Sequence, residues 1–129
     1  MARRIVKGDD LALRIAGLIQ EKKGHEVVIL DLRGLTSMAD YFVICSADSD
    51  PQVRAITGHI RDRLLQQTIK PWHIEGQTSS SWVLLDFIDV VVHIFKPEAR
   101  GFYGLERLWG DAPRKTIEEE NDTAGPDPG

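Results

Sequence analysis

Leu11, Ile15, Leu18 and Ile19 recur at helical spacing. The pattern predicts an amphipathic helix that Asp9 or Asp10 can cap and that runs to Lys23. Lys22 and Lys23 suit the negative end of the helix dipole, and Gly24 suits the stop. Val27 to Leu30 is a short, unbroken, β-branched run, and Tyr41 to Cys45 is a second. Runs apolar on both sides read as buried central strands, here separated by Gly34. Ser46 to Pro51 follows as a loop, with Asp50 placed to cap a helix and Pro51 at its first position. Val53, Ile56, Ile60 and Leu64 form the stripe of that helix, with Arg54, Arg61 and Arg63 off it, until Lys70-Pro71 ends it. Trp72 to Glu75 reads as a short strand closed by Gly76, with Gln77 to Ser80 a polar loop. Trp82 to Asp86 and Asp89 to Phe95 are two adjacent strands. Pro97 opens a last helical piece holding Phe102, Leu105 and Trp109, weakened by Gly101 and Gly104. The order α-β-β-α-β-β-β-α predicts an α/β fold: a mixed β-sheet of about five strands flanked by helices, with a right-handed crossover from the second strand to the third.

The last two strands are too close for anything but a hairpin. With Phe87-Ile88 as a two-residue loop, Asp86 faces Asp89, Leu84 faces Val91 and Trp82 faces His93. One side then carries Val83, Leu85, Val90, Val92 and Ile94, all aliphatic, and is core. The other mixes aromatics, carboxylates and an imidazole. Two opposed carboxylates repel and require compensation. An internal cation or solvent supplies it on one reading; on the other, this side is a binding face whose aromatics anchor a partner and whose aspartates meet its basic groups. Phe87-Ile88 is poor in residues that tolerate positive φ, which leaves room for a longer loop or a bulge.

Charge sharpens this picture. Residues 114–129 hold Arg114 and Lys115 against five carboxylates, and Ile117 is their only large apolar residue. Such a segment cannot offset its ordering entropy, so a single domain is expected over residues 1–113 with an acidic disordered tail over 114–129. The net charge of −4 argues against a protein that grips nucleic acid mainly through phosphates. A single cysteine, Cys45, rules out an internal disulfide and fits a reducing compartment. No apolar run approaches the roughly 20 residues of a membrane span. The N-terminus lacks an apolar signal core, so a cytoplasmic protein is expected.

Catalytic signals are weak. Ser46 to Ser49, between strand and helix, resembles a phosphate cradle, but it lacks glycine and Asp48 and Asp50 would repel an anion. Asp86 and Asp89 are the only close carboxylate pair available for metal-assisted nucleotidyl transfer, and they sit on a hairpin. His25, His59, His73 and His93 show no metal spacing. Cys45 follows an apolar strand with no base nearby in sequence and reads as a small core hydrophobe.

The ordered segments Asp40-Tyr41-Phe42-Val43-Ile44, Gln52-Val53-Arg54-Ala55-Ile56, Glu75-Gly76, Trp82-Val83-Leu84-Leu85-Asp86, Asp89-Val90-Val91-Val92-His93-Ile94-Phe95, Arg100 with Phe102-Tyr103, and Leu105-Glu106-Arg107-Leu108-Trp109 with Asp111-Ala112 resemble the ribosomal silencing factor, or Iojap-like, family. The resemblance spans about Asp10 to Ala112. It implies a fold related to nucleotidyltransferases without their activity, no cofactor and no metal. It also implies binding to the large ribosomal subunit through ribosomal protein L14, steric exclusion of the small subunit, repression of translation when nutrients are short, and a homodimer in the free state. A role in large-subunit assembly and a nucleotide-binding role are the alternatives. The implied partner-binding residues are Trp82, Asp86, Asp89, His93 and Phe95 on the hairpin. On the last helical piece they are Arg100, Tyr103, Leu105, Glu106, Trp109 and Asp111. Leu105 and Trp109 share helical spacing with Phe102, which favours core packing for at least one of them. Ala47 and Ile88 stand where the family often has glycine, and Gly101 and Gly104 where larger polar residues are common.

Overall fold

The computed structural model describes residues 8–118. Helix α1 (Gly8–Glu21) buries Leu11, Ile15, Leu18 and Ile19, the predicted stripe. Its end differs from expectation. Lys23, not Gly24, takes the left-handed conformation, at φ 69°. The Lys23 amide donates to Gln20 and the Gly24 amide to Ile19, at 2.9 and 3.0 Å, which closes the helix as a Schellman turn. Gly24 is needed for space: a Cβ there would lie 2.4 Å from Ile19 Cγ2 and 3.1 Å from Ile56 Cδ1.

Strands β1 (His25–Asp31) and β2 (Tyr41–Ser46) follow, then helix α2 (Asp50–Leu65). Ser49 caps α2 in place of the expected Asp50, its side chain accepting from the Gln52 amide, with Pro51 in the first turn. Gln52 also ties α2 to the end of α1: its Nε2 donates to the carbonyls of Lys22 and Lys23 at 3.2 and 2.9 Å. Strands β3 (His73–Glu75), β4 (Trp82–Asp86) and β5 (Val90–Phe95) complete the predicted set. The last helical piece is two pieces, α3 (Pro97–Tyr103) and α4 (Leu105–Leu108). Gly104, at φ 61°, separates them.

The sheet is mixed and has six strands in the order β3-β4-β5-β2-β1-β6. The sixth, β6 (Arg114–Thr116), comes from the segment whose composition predicts disorder. It pairs antiparallel with β1, Leu30 facing Arg114 and Val28 facing Thr116. No apolar alternation betrays it, because all three residues are exposed. Backbone bonds on either side hold it: Asp31 donates to Pro113 and Ile117 to Val27, each at 2.9 Å. Residues 119–129 of the expected tail lie outside the described residues. The crossover from β2 through α2 reaches β3 at the far edge, while the parallel neighbour of β2 is β5.

Both long helices pack on one face of the sheet, over Val27, Ile29, Val43, Cys45, Leu85, Val92 and Ile94. The opposite face carries a second core layer of Val28, Leu30, Phe42, Ile44, Val91 and Phe95. No helix among the described residues is long and apolar enough to cross a membrane.

In the β4–β5 hairpin, Trp82 pairs with Phe95, Leu84 with His93 and Asp86 with Val91. The expected register is off by two positions, because Phe87, Ile88 and Asp89 all lie in the connection. A shift of two leaves the side chains of the paired strand residues on their predicted faces, but Asp89, expected on the aromatic face, moves into the connection beside Gly8 of α1. The shift also removes the opposition of Asp86 and Asp89. Asp86 Oδ1 instead accepts the Ile88 amide at 2.7 Å. Ile88 sits at φ 77° with its side chain 60% exposed. A β-branched residue there is strained by about 1–2 kcal/mol.

Ile88→Gly should therefore raise stability by about 1 kcal/mol, after allowance for the added freedom of the unfolded chain. Urea denaturation measures it. An unchanged or lower midpoint would show that the turn carries no such strain.

Candidate functional site

Among the described residues, the helices over the second face of the sheet are the short α3 and α4, joined there by Leu32, Ala39 and Ala112 from flanking loops. Pro97 starts α3 after Lys96, and the αL turn at Gly104 redirects the chain so that α4 and Trp109 return over Phe42. The cover is incomplete. Trp82, Leu84, Leu105 and Trp109 pack on the second core layer yet remain half-buried.

Trp82 is the centre of this surface. Its ring lies 4.9 Å from Phe95 and 4.6 Å from Tyr103, centroid to centroid. Its Nε1 donates to His93 Nδ1 at 3.0 Å. An indole nitrogen only donates, so Nδ1 is bare and the imidazole proton sits on Nε2. His93 is 3% exposed, and its Nε2 has no hydrogen-bond partner. The ring edge faces Phe42, with centroids 4.4 Å apart. Burial pushes the His93 pKa down to about 3. The imidazole is thus a neutral post that orients the indole.

Arg100 and Glu106 form a second support. Arg100 Nε and Nη2 donate to Glu106 Oε1 and Oε2 at 2.9 and 3.1 Å. Arg100 Nη1 donates to the Glu26 carbonyl at 2.7 Å and to Ser46 Oγ at 2.8 Å. Arg114 Nη1 reaches Glu106 Oε2 at 2.9 Å. The paired guanidinium holds the Glu106 carboxyl below its usual range. One cluster thus ties α3 and α4 to the ends of β1, β2 and β6.

Four of the sequence-predicted contact residues are consequently supports. His93 and Phe95 are buried beneath Trp82, and Arg100 and Glu106 spend their hydrogen bonds inside the molecule. Leu105 and Trp109 face the second core layer with part of each side chain exposed. Trp82, Tyr103, Asp86, Asp89 and Asp111 reach the surface. Those three aspartates enter no ion pair among the described residues. Sequence reasoning missed Phe102 and Leu108, which are 79% and 71% exposed. Their signal was present: large apolar residues in a helical piece too short and too glycine-broken to bury every side.

The remaining candidates have structural work. In the Ser46–Ser49 loop, Ser46 receives Arg100, Asp48 meets His25 at 2.9 Å, and Ser49 caps α2. His59 meets Glu21 at 2.7 Å and His73 meets Glu75 at 3.0 Å. Cys45 is buried, and burial raises its thiol pKa to about 12. No group of three or more His, Cys, Asp or Glu side chains among the described residues is placed to hold a metal ion.

The buried imidazole makes stability depend on pH. The folded pKa lies below the ordinary value of 6.5, so the unfolded state binds the extra proton first as pH falls. Stability from this group is full above about pH 6.5 and should be roughly 2 kcal/mol lower by pH 5. In His93→Asn, whose amide oxygen can still accept from Trp82, that part of the slope should vanish. Urea unfolding at pH 5 and 7.5 compares the two; equal slopes would mean that His93 is not held neutral.

The chain matches the family model described as "Ribosomal silencing factor during starvation" over residues 7–128. It is 43% identical over 98 residues to the ribosomal silencing factor RsfS of Bacillus subtilis, covering 76% of this chain and 83% of that protein. It is also similar to the mouse protein "Mitochondrial assembly of ribosomal large subunit protein 1", at 28% identity over 74% of this chain and 43% of that one. The crystal structure of a Chromobacterium violaceum protein superposes with a TM-score of 0.78 at 28% identity, covering 89% of this chain and 97% of that one. With a mixed sheet of the same fold and this ordered set of motifs, the chain belongs to the ribosomal silencing factor family.

Proposed function

We propose that this chain is a non-enzymatic, cytoplasmic translation repressor. In this reading it binds ribosomal protein L14 on the large ribosomal subunit and excludes the small subunit by occupying the space it needs, when nutrients are limiting. The free protein is a homodimer. The observation that carries the reading is a ridge of Trp82, Tyr103 and Phe102 on the second sheet face, with Asp86 and Asp89 at the other end of the β4–β5 hairpin and Asp111 after α4, none of them in an ion pair among the described residues. Stacked aromatics held rigidly from below lose little entropy on docking and make strong anchors. Unpaired carboxylates at the rim steer a basic partner and set register. Such steering weakens as salt rises.

A second reading, assembly of the large subunit, is favoured by the mouse relative named for that role. It uses the same surface. Depleting the protein separates the two: accumulation of immature large subunits supports assembly, whereas mature subunits that join too readily support silencing.

Purified subunits sedimented with this protein in excess should show fewer joined particles. Unchanged joining at saturation would reject the repressor reading. Asp86→Lys with Asp89→Lys should weaken binding at least tenfold, about 1.4 kcal/mol, in a variant whose circular dichroism shows that the fold survives loss of the Asp86–Ile88 hydrogen bond. Undiminished binding by a folded double variant would remove these carboxylates from the contact.

A further inference from the structure

On the opposite side of the sheet from the aromatic ridge, α2 and the β3–β4 connection enclose a cleft of about 190 Å³. Arg54, Gly58 and Arg61 line it from α2, and Gln77 and Ser80 face them from the connection. We propose that this cleft binds phosphate groups of an RNA backbone.

Four observations carry the assignment. Arg54 and Arg61 lie on one helix face, seven residues apart, with Gly58 between them. Neither has a strong acidic partner among the described residues: Arg54 is in no ion pair, and the carboxylate that reaches Arg61 is its neighbour Asp62, at 3.7 Å. Asp50, at the start of the same helix, is taken by Lys96 Nζ at 2.5 Å. Guanidinium groups without carboxylates are the side chains best suited to phosphate oxygens.

Gly58 keeps the space open. A Cβ there would meet nothing closer than Arg61 Nη2 at 3.7 Å, so packing does not demand glycine. A glycine in mid-helix lowers stability relative to alanine, and here the compensation is access to the cleft floor. Across the cleft, Ser80 is 3% exposed and sits at φ 61°, a strained conformation for a residue with a side chain. Its hydroxyl makes one long bond, 3.4 Å to the Gln77 carbonyl, and so is available to a stronger acceptor.

Size and spacing choose the ligand. The cleft is smaller than the roughly 300–1,000 Å³ of pockets that enclose whole small molecules. It suits one phosphate with its water rather than a whole nucleotide. Two arginines about 10.5 Å apart along a helix axis form an open track, which favours a chain of phosphates over a single enclosed anion. The source, ribosomal RNA, rests on the reading that places this protein on the large subunit. Phosphate contacts of this kind position a protein without reading bases. With a net charge of −4, such a contact supplements docking and does not replace it.

The full-length protein is titrated against a fluorescent single-stranded RNA of about 12 nucleotides at low salt, with inorganic phosphate as competitor. Arg54→Glu with Arg61→Glu should weaken binding about tenfold or more and flatten its salt dependence. Gly58→Met, which fills the cleft without changing charge, should do the same while raising the melting temperature. Arg14→Glu, one charge reversal on exposed α1, should change affinity less than twofold. Inorganic phosphate should compete at millimolar concentration. Equal affinity in the cleft variants, or an equal loss in Arg14→Glu, would overturn the site. Phosphate binding that RNA fails to displace would overturn the RNA assignment in favour of a free anion. The Asp86→Lys, Asp89→Lys variant should keep its RNA binding, so that failure of the docking reading and failure of this one are told apart.

Discussion

A central sheet with two apolar faces needs cover on both, and among the described residues long helices cover only one. The stripes of α1 and α2 close most of the first face. The second is left to α3 and α4, which end at Tyr103 and Leu108 and bury no residue fully. The chain's response is to place large rings there. Trp82, Tyr103 and Trp109 lie over the second layer, with Phe95 buried beneath Trp82, and shield much of it while remaining partly exposed themselves. The docking surface follows from that shortage of cover.

Partial cover is useful only if it is held still. Two polar devices do this from inside. The buried, neutral His93 accepts from the indole of Trp82 and fixes its tilt. The Arg100–Glu106–Arg114 cluster fastens the two short helices to the ends of three strands. Both place polar groups in partly dry surroundings, where every unmade bond is expensive. Arg100 meets that demand almost fully, whereas His93 leaves Nε2 without a partner. The surface therefore rests on a slightly uncomfortable interior, a common trade at binding sites.

Much of this was legible in the sequence because burial writes a strong period. The stripes of α1 and α2 and the unbroken runs of β1 and β2 appear where periodicity puts them. The faces of the hairpin were also readable, and they survived a wrong register because the error was an even number of residues. What escaped was written in backbone geometry and in distant contacts. Ile88 takes a conformation that its side chain resists. Strand β6 exposes every residue and leaves no apolar trace. The roles of Arg100 and Glu106 depend on partners up to 74 positions away. A charged or aromatic residue beside a binding face reads as a contact until its own hydrogen bonds are known.

The most direct measurement is hydrogen–deuterium exchange of the protein alone and bound to purified large subunits. Protection should concentrate in the β4–β5 connection and in α3 and α4, over residues 86–90 and 101–111, with α1 unchanged. Protection confined to α1 or to the β6 edge, with those segments still exchanging freely, would contradict the account.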